Sequence, residues 1–238
     1  EFTSTLLKEL PTFIIDVISK TQIFIKTPLG DLIALEVENN EIIRDIKLKL
    51  RLKDGIQPED QVLEFEEEDL EDEKTLQHYN ISDNCTLKLI YTDYPIYIKL
   101  LSGEYIIIYV YPLDIIENLK VKVEEQKGIP LEQQYFYFFG HKLENEKTVH
   151  DYSITRESTI IMMLYISIEN KTGKKLDFYC CPNEKIDYIR RMVAEKEGIE
   201  YSNINLLFQG KIIDDGNTIS DYGIEQNSCI LWVMKKEQ

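Results

Sequence analysis

No run of about 18 apolar residues, the length needed to cross a bilayer as a helix, occurs anywhere in this chain of 238 residues. Basic residues are scarce as well. The 27 Lys and Arg face 43 Asp and Glu, for a net charge of −16. Such a field repels phosphate backbones and anionic head groups, which argues against nucleic acid and against membrane insertion. The cysteines, Cys85, Cys180, Cys181 and Cys229, have neither the C-x-x-C spacing of zinc sites nor the pattern of a secreted disulfide framework. Cys180 and Cys181 are neighbours on a strand and point to opposite faces, so all four are expected to be reduced, half-buried strand residues. His78, His141 and His150 are scattered and do not join Cys or Asp at ligand spacing.

Phosphate-binding, nucleophile-elbow, dinucleotide and calcium-loop patterns are all missing. The sequence therefore predicts no catalytic residue, no metal, no cofactor and no small-molecule substrate. Residues 1–20 lack a basic start and a long apolar stretch, so they are expected to be an N-terminal extension and not a secretory signal. A cytoplasmic or nuclear protein is the first expectation. An organellar one, after removal of a presequence upstream of Glu1, is the second.

What is present is one unit written three times. Residues 23–37 (IFIKTPLGDLIALEV), 96–110 (IYIKLLSGEYIIIYV) and 166–180 (ISIENKTGKKLDFYC) each alternate apolar and polar residues around a turn glycine, Gly30, Gly103 or Gly173, as a β-hairpin does. Apolar residues then recur at helical spacing: Ile43, Ile46 and Leu50; Ile116, Leu119 and Val123; Ile186, Ile189 and Val193. Gly55, Gly128 and Gly198 stand where each helix should stop, and Glu41, Asp114 and Glu184 stand near its start, where the helix dipole favours acid. Phe65, Phe138 and Phe208 lie in a third strand, Tyr79, Tyr152 and Tyr222 in a following loop, and LKLI, IIMML and ILWVM form a last strand.

These landmarks keep one register from copy to copy, so no insertion separates them within any copy. The order β-β-α-β-β, with one helix on one face of a mixed sheet, is an α+β architecture. The expected domains are 21–92, 94–164 and 165–238. No Gly, Ser or Pro linker separates TIIMML from YISIEN, so the second and third domains are expected to hold a near-fixed orientation, with the first, joined through Thr92, Asp93 and Pro95, slightly freer.

KDGIQPEDQVLEF and LEDEKTLQHYNI in the first copy, IENLKVKVEEQKGIPLEQQYFYFFGHKLENEKTVHDYSI in the second and EKEGIEYSNINLLFQGKIIDDGNTISDYGI in the third resemble ubiquitin, over residues 22–238 in all. The resemblance implies three tandem β-grasp domains. It also shows departures. No copy carries the LRLRGG tail that ubiquitin conjugation uses: the copies end KLIYTDYP, MLYISI and WVMKKEQ, so conjugation and cleavage between copies are not expected. Several positions matching ubiquitin's chain-building lysines hold other residues, among them Asp31, Glu68, Asp83, His141, Arg156 and Gln226.

The family's recognition patch maps onto Leu101, Tyr137, Gly140, Ile161 and Met163 in the second copy. In the third it maps onto Leu207, Gly210, Lys211, Leu231 and Val233, with Lys171 replacing the apolar hairpin residue. In the first copy Pro28, Glu64, Glu67 and Lys88 occupy these places and only Ile90 remains apolar. The acidic run of residues 64–73 is expected to be a solvated face, or else a docking surface for a basic partner. Together these features predict a non-catalytic interaction scaffold or structural subunit whose partners are other proteins in a larger assembly. The alternative is a ubiquitin-pathway adaptor, or a modifier-like protein, that binds ubiquitin receptors or the proteasome.

Overall fold

The structure, a computed structural model, describes residues 20–235. Apart from Lys20, the expected N-terminal extension lies outside the described residues. The chain forms two compact units, one ending at Tyr94 and the other beginning at Pro95.

In the first unit, β1 (Lys20–Lys26) and β2 (Leu32–Glu38) form the hairpin, followed by α1 (Ile43–Asp54), β3 (Gln61–Phe65), β4 (Glu68–Asp69) and β5 (Thr86–Tyr91). The sheet order is β2-β1-β5-β3-β4, with β1 and β5 parallel. Alternation sends Ile23, Ile25, Leu87 and Leu89 to the core, where they meet Ile43, Ile46 and Leu50 of the helix. Gly55 ends α1 at φ 73°, a left-handed conformation that costs least without a Cβ.

The second unit contains β6 (Tyr94–Lys99), whose first residue closes the first unit, β7 (Tyr105–Val110), α2 (Ile116–Lys127), β8 (Tyr135–Phe138), β9 (His141–Lys142) and β10 (Thr159–Glu169). It continues with β11 (Lys175–Cys180), α3 (Ile186–Glu197), β12 (Ile204–Phe208), β13 (Lys211–Ile212) and β14 (Cys229–Met234). The expected strand-strand-helix-strand-strand order thus recurs three times, with a further two-residue strand in each copy, as an α+β β-grasp arrangement. The six helix residues predicted to face the cores of this unit are all fully buried.

The second unit is a single nine-stranded sheet because β10 belongs to two repeats. Its first half pairs parallel to β6 and antiparallel to β8, closing the second repeat. Its second half pairs antiparallel to β11 and parallel to β14, opening the third. Ile160, Met162, Leu164, Ile166 and Ile168 are buried without a break in the alternation. The boundary expected after Leu164 falls inside this strand.

Two repeated contacts explain residues that the sequence pattern singles out. The hydroxyls of Tyr79, Tyr152 and Tyr222 accept the backbone N–H of Glu71, Glu144 and Asp214 at 2.8, 2.8 and 2.6 Å, which ties each late loop to the turn after the third strand. The acids before the first two helices stand next to the N-cap residues, as expected, and each also holds a lysine. Glu41 and Asp114 take the ammonium groups of Lys49 and Lys122 at 2.6 and 2.8 Å, and no side chain caps a helix N-terminus. The isoleucine at each of those N-cap positions has no acceptor to offer.

Each helix also buries a cation at one equivalent position: Lys47, Lys120 and Arg190. Lys47 meets Asp72 at 2.6 Å and Arg190 meets Asp215 at 2.9 Å. The second repeat has Asn145 where the others have that aspartate. Burial, and then the Lys142 charge, hold the Lys120 ammonium below the ordinary lysine range. Asn145→Asp should therefore stabilise the second unit by about 1 kcal/mol, since it gives a buried cation the partner its two counterparts have. Chemical denaturation at neutral pH checks this, and no gain in the transition midpoint would refute it.

Candidate protein-binding surface

The odd-numbered residues of β10 face away from the helices, and the sequence-predicted patch of the second repeat is built on them. Ile161 lies opposite Tyr137 of β8, and Met163 opposite Tyr135. Tyr137, Ile161, Met163 and Gly140 line one groove of about 330 Å³, together with Phe138, Phe139, Ser158 and Thr159. Four of the five expected residues of this repeat are thus brought together.

Leu101 is not among them. It lines a separate recess with Leu100, Ser102, Ile129, Gln133, Met162 and Gln226, and it packs against the buried cluster of the third repeat. The shared strand causes this displacement. It sets the hairpin tip of the second repeat against the third, whose Gln226 lines the same recess. Gln226 also accepts the Tyr165 N–H at 3.0 Å, as Asp83 accepts the Gln22 N–H in the first repeat.

The same junction covers one side of the groove. Tyr179 of β11 lies 5.6 Å from Tyr137, 5.2 Å from Tyr135 and 5.4 Å from Tyr165, ring centre to ring centre. Lys142 donates to the Tyr179 hydroxyl at 2.9 Å and stands over that ring, 4.4 Å from its centre. Tilted rings and an overlying ammonium are favourable arrangements of aromatic quadrupoles. Cys181 reaches the Met163 sulfur at 3.6 Å.

In the third repeat Leu207 lies opposite Leu231, and Asn205 opposite Val233, so the three predicted apolar residues share the outer face. Gly210 makes the turn at φ 77°, and Lys211 follows it exposed. In the first repeat the corresponding cross-strand pair is Glu64 and Lys88, joined at 3.1 Å, while Ile90 lies opposite Val62. That face is charged and wet, as its sequence implies.

Two exposed apolar residues beside these faces are not among the residues expected from the sequence. Ile212 lies opposite Leu207 and is 55% exposed, and Phe139, at the rim of the groove, is 87% exposed. Phe139 belongs to the turn after the third strand and Ile212 to the two-residue strand β13 that follows it, where period-two alternation stops being informative. The usable signal was composition: the turn that reads FEE and FQG in the other copies reads FFG here.

All four cysteines are free. Cys85 and Cys181 are half-buried as expected but stand just outside β5 and β11 and not in a strand, while Cys180 is fully buried and Cys229 is exposed. Burial pushes the Cys180 thiol up to about 12 and raises that of Cys181, so neither is a ready nucleophile. Among the described residues no group of His, Cys, Asp and Glu is arranged to hold a metal, and no helix is long and apolar enough to cross a membrane.

The sequence model of the Ubiquitin family matches residues 23–92, 96–165 and 166–237, and the chain belongs to that family. It is 38% identical over 71 residues to the ubiquitin-like protein NEDD8 of Dictyostelium discoideum, a match covering 30% of this chain and 92% of that protein. It is 32% identical over 71 residues to ubiquitin-like protein 1 of Schizosaccharomyces pombe, covering 30% of this chain and 91% of that protein. A phosphatidylinositol 4-kinase gamma 4 of Oryza sativa is 26% identical over 121 residues, which span 45% of this chain and only 21% of the kinase. Ubiquitin-like domains mediate protein interactions and are generally non-catalytic.

The tyrosine cluster gives the second unit an alkaline limit. Burial, and then Tyr179, push the Tyr137 hydroxyl up to about 12. The hydrogen bond to Asp177, followed by burial, does the same for Tyr165. Folded pKa values above the unfolded value of 10.0 mean that this stability is complete below about pH 10 and is lost as pH rises toward about 12. Denaturation followed across that range should show stability falling, with a shallower fall in Tyr165→Phe. Equal slopes in the two proteins would contradict the assignment.

Proposed function

We propose that the chain is a non-catalytic protein-interaction scaffold, and that the outer face of its second and third repeats receives apolar segments of other proteins, as subunits of a larger assembly. Tyr137, Gly140, Ile161 and Met163 form the groove of the second repeat. Leu207, Gly210, Lys211, Leu231 and Val233 form the platform of the third.

Phe139 is the observation that carries this reading. It holds φ 45°, in the left-handed region, and is 87% exposed. A bulky side chain there costs about 1 kcal/mol and gains little burial in return. The equivalent turn positions hold Glu66 and Gln209, at φ 51° and 50°. The Phe139 ring meets Phe138 edge to face, 4.5 Å between centres, yet stays 87% exposed, which is better explained as an anchor that a partner buries than by folding alone. The alternative, a ubiquitin-pathway adaptor, is favoured by the likeness to NEDD8-type proteins. It uses the same face but requires ubiquitin receptors or proteasome subunits among the partners.

Phe139→Asn separates binding from folding, because asparagine tolerates left-handed φ. The variant should be as stable as the parent or more so, by up to about 1 kcal/mol, while losing about tenfold or more in the recovery of specific partners. Affinity purification with quantitative mass spectrometry, beside a thermal melt, reads both. An unchanged partner set in a folded variant would remove the groove from the function.

A further inference from the structure

The second strand of each repeat lies at a sheet edge, and the three edges are not alike. At equivalent outward positions β2 carries Leu32, Ala34 and Glu36, and β11 carries Lys175, Asp177 and Tyr179. Charged residues on an edge discourage a further strand from joining it. β7 carries Tyr105, Ile107 and Tyr109, which are 56%, 49% and 58% exposed, and no residue of this strand from Tyr105 to Val110 is charged.

Among the described residues no strand pairs with the outer edge of β7. Leu100 donates its N–H to the Glu104 carbonyl at 2.8 Å, which sets the even-numbered residues as those bonded to β6. Residues 105, 107 and 109 therefore turn their N–H and C=O groups to the open edge. The Tyr109 carbonyl there takes the Lys122 ammonium at 2.8 Å and keeps a second lone pair.

The sequence of the edge reads Tyr105-Ile106-Ile107-Ile108-Tyr109, the same in both directions. An antiparallel strand centred on Ile107 would set tyrosine against tyrosine and isoleucine against isoleucine, with every outward N–H and C=O in register. Only a strand of the same sequence makes that match on both faces.

We propose that β7 is a homodimerisation edge, at which a second copy of this chain pairs antiparallel about a twofold axis at Ile107. The interface is isologous, closes on itself and presents no like charges directly across the strands. It uses none of the residues assigned to the binding face above. The net charge of −16 opposes association, so raising ionic strength should strengthen the dimer.

The test is the mass of the full chain in solution, by light scattering and sedimentation equilibrium over a wide concentration range, with amide exchange on the same samples. The expected result is a concentration-dependent rise to twice the chain mass. It should be accompanied by slowed exchange at the amides of Tyr105, Ile107 and Tyr109. Ile107→Lys and Tyr109→Lys, both on exposed side chains, should return the mass to one chain, and Leu52→Lys, at an exposed leucine elsewhere, should not. If a β7 variant fails to fold, the exchange pattern of the parent protein decides. A monomer at all concentrations would overturn the proposal, as would a dimer that the folded β7 variants leave intact or an extended foreign peptide that alone protects the edge.

Discussion

The second unit depends on one strand satisfying two cores. β10 runs through eleven residues with every even-numbered side chain from Ile160 to Ile168 buried, Ile160 and Met162 in the half that closes the second repeat and Leu164, Ile166 and Ile168 in the core of the third. Side chains on a strand alternate strictly, so a one-residue slip would expose all of these at once. The register of both repeats is therefore held by the same apolar residues. A ubiquitin-like fold of this size buries a modest core by itself, and sharing a strand lets each repeat lend backbone hydrogen bonds and apolar area to the other.

From that constraint follows the arrangement of surfaces. Continuous parity keeps Ile161, Met163 and Tyr165 on the side away from the helices, so the outer faces of the two repeats meet across the tyrosine cluster of residues 135, 137, 165 and 179. The first repeat, in the other unit, replaces this apolar character with the Glu64–Lys88 pair and the acidic turn beyond it. Burying such a pair at a dry interface would cost desolvation energy that apolar side chains do not incur. Within one chain, the same fold thus supplies one charged face and two apolar ones.

Most of the fold was legible because its signals are local and repeated. The hairpin glycines, the helix faces and the glycines that end the helices recur in one register, and each reflects a backbone or burial requirement that three copies state independently. The exchange of Asp for Asn145 opposite Lys120 was visible in that register too, but only geometry shows that the cation is buried. The place of Leu101 apart from the groove has another origin. Its position was inferred from a single domain, whereas its surroundings are set by the neighbour that β10 brings against the hairpin tip. Strand alternation cannot orient Phe139, which stands in a turn at φ 45°, and Ile212 lies in a strand of only two residues, too short for alternation to show.

The rigidity that β10 imposes is the claim on which this architecture turns. Residual dipolar couplings measured on the full chain in a weakly aligning medium report it directly, by fitting the amides of residues 95–160 and 166–235 separately. A single alignment tensor, equal in magnitude and direction for both sets, is the expected result. Tensors of clearly different magnitude would show the two repeats moving independently and would contradict a shared, continuous strand.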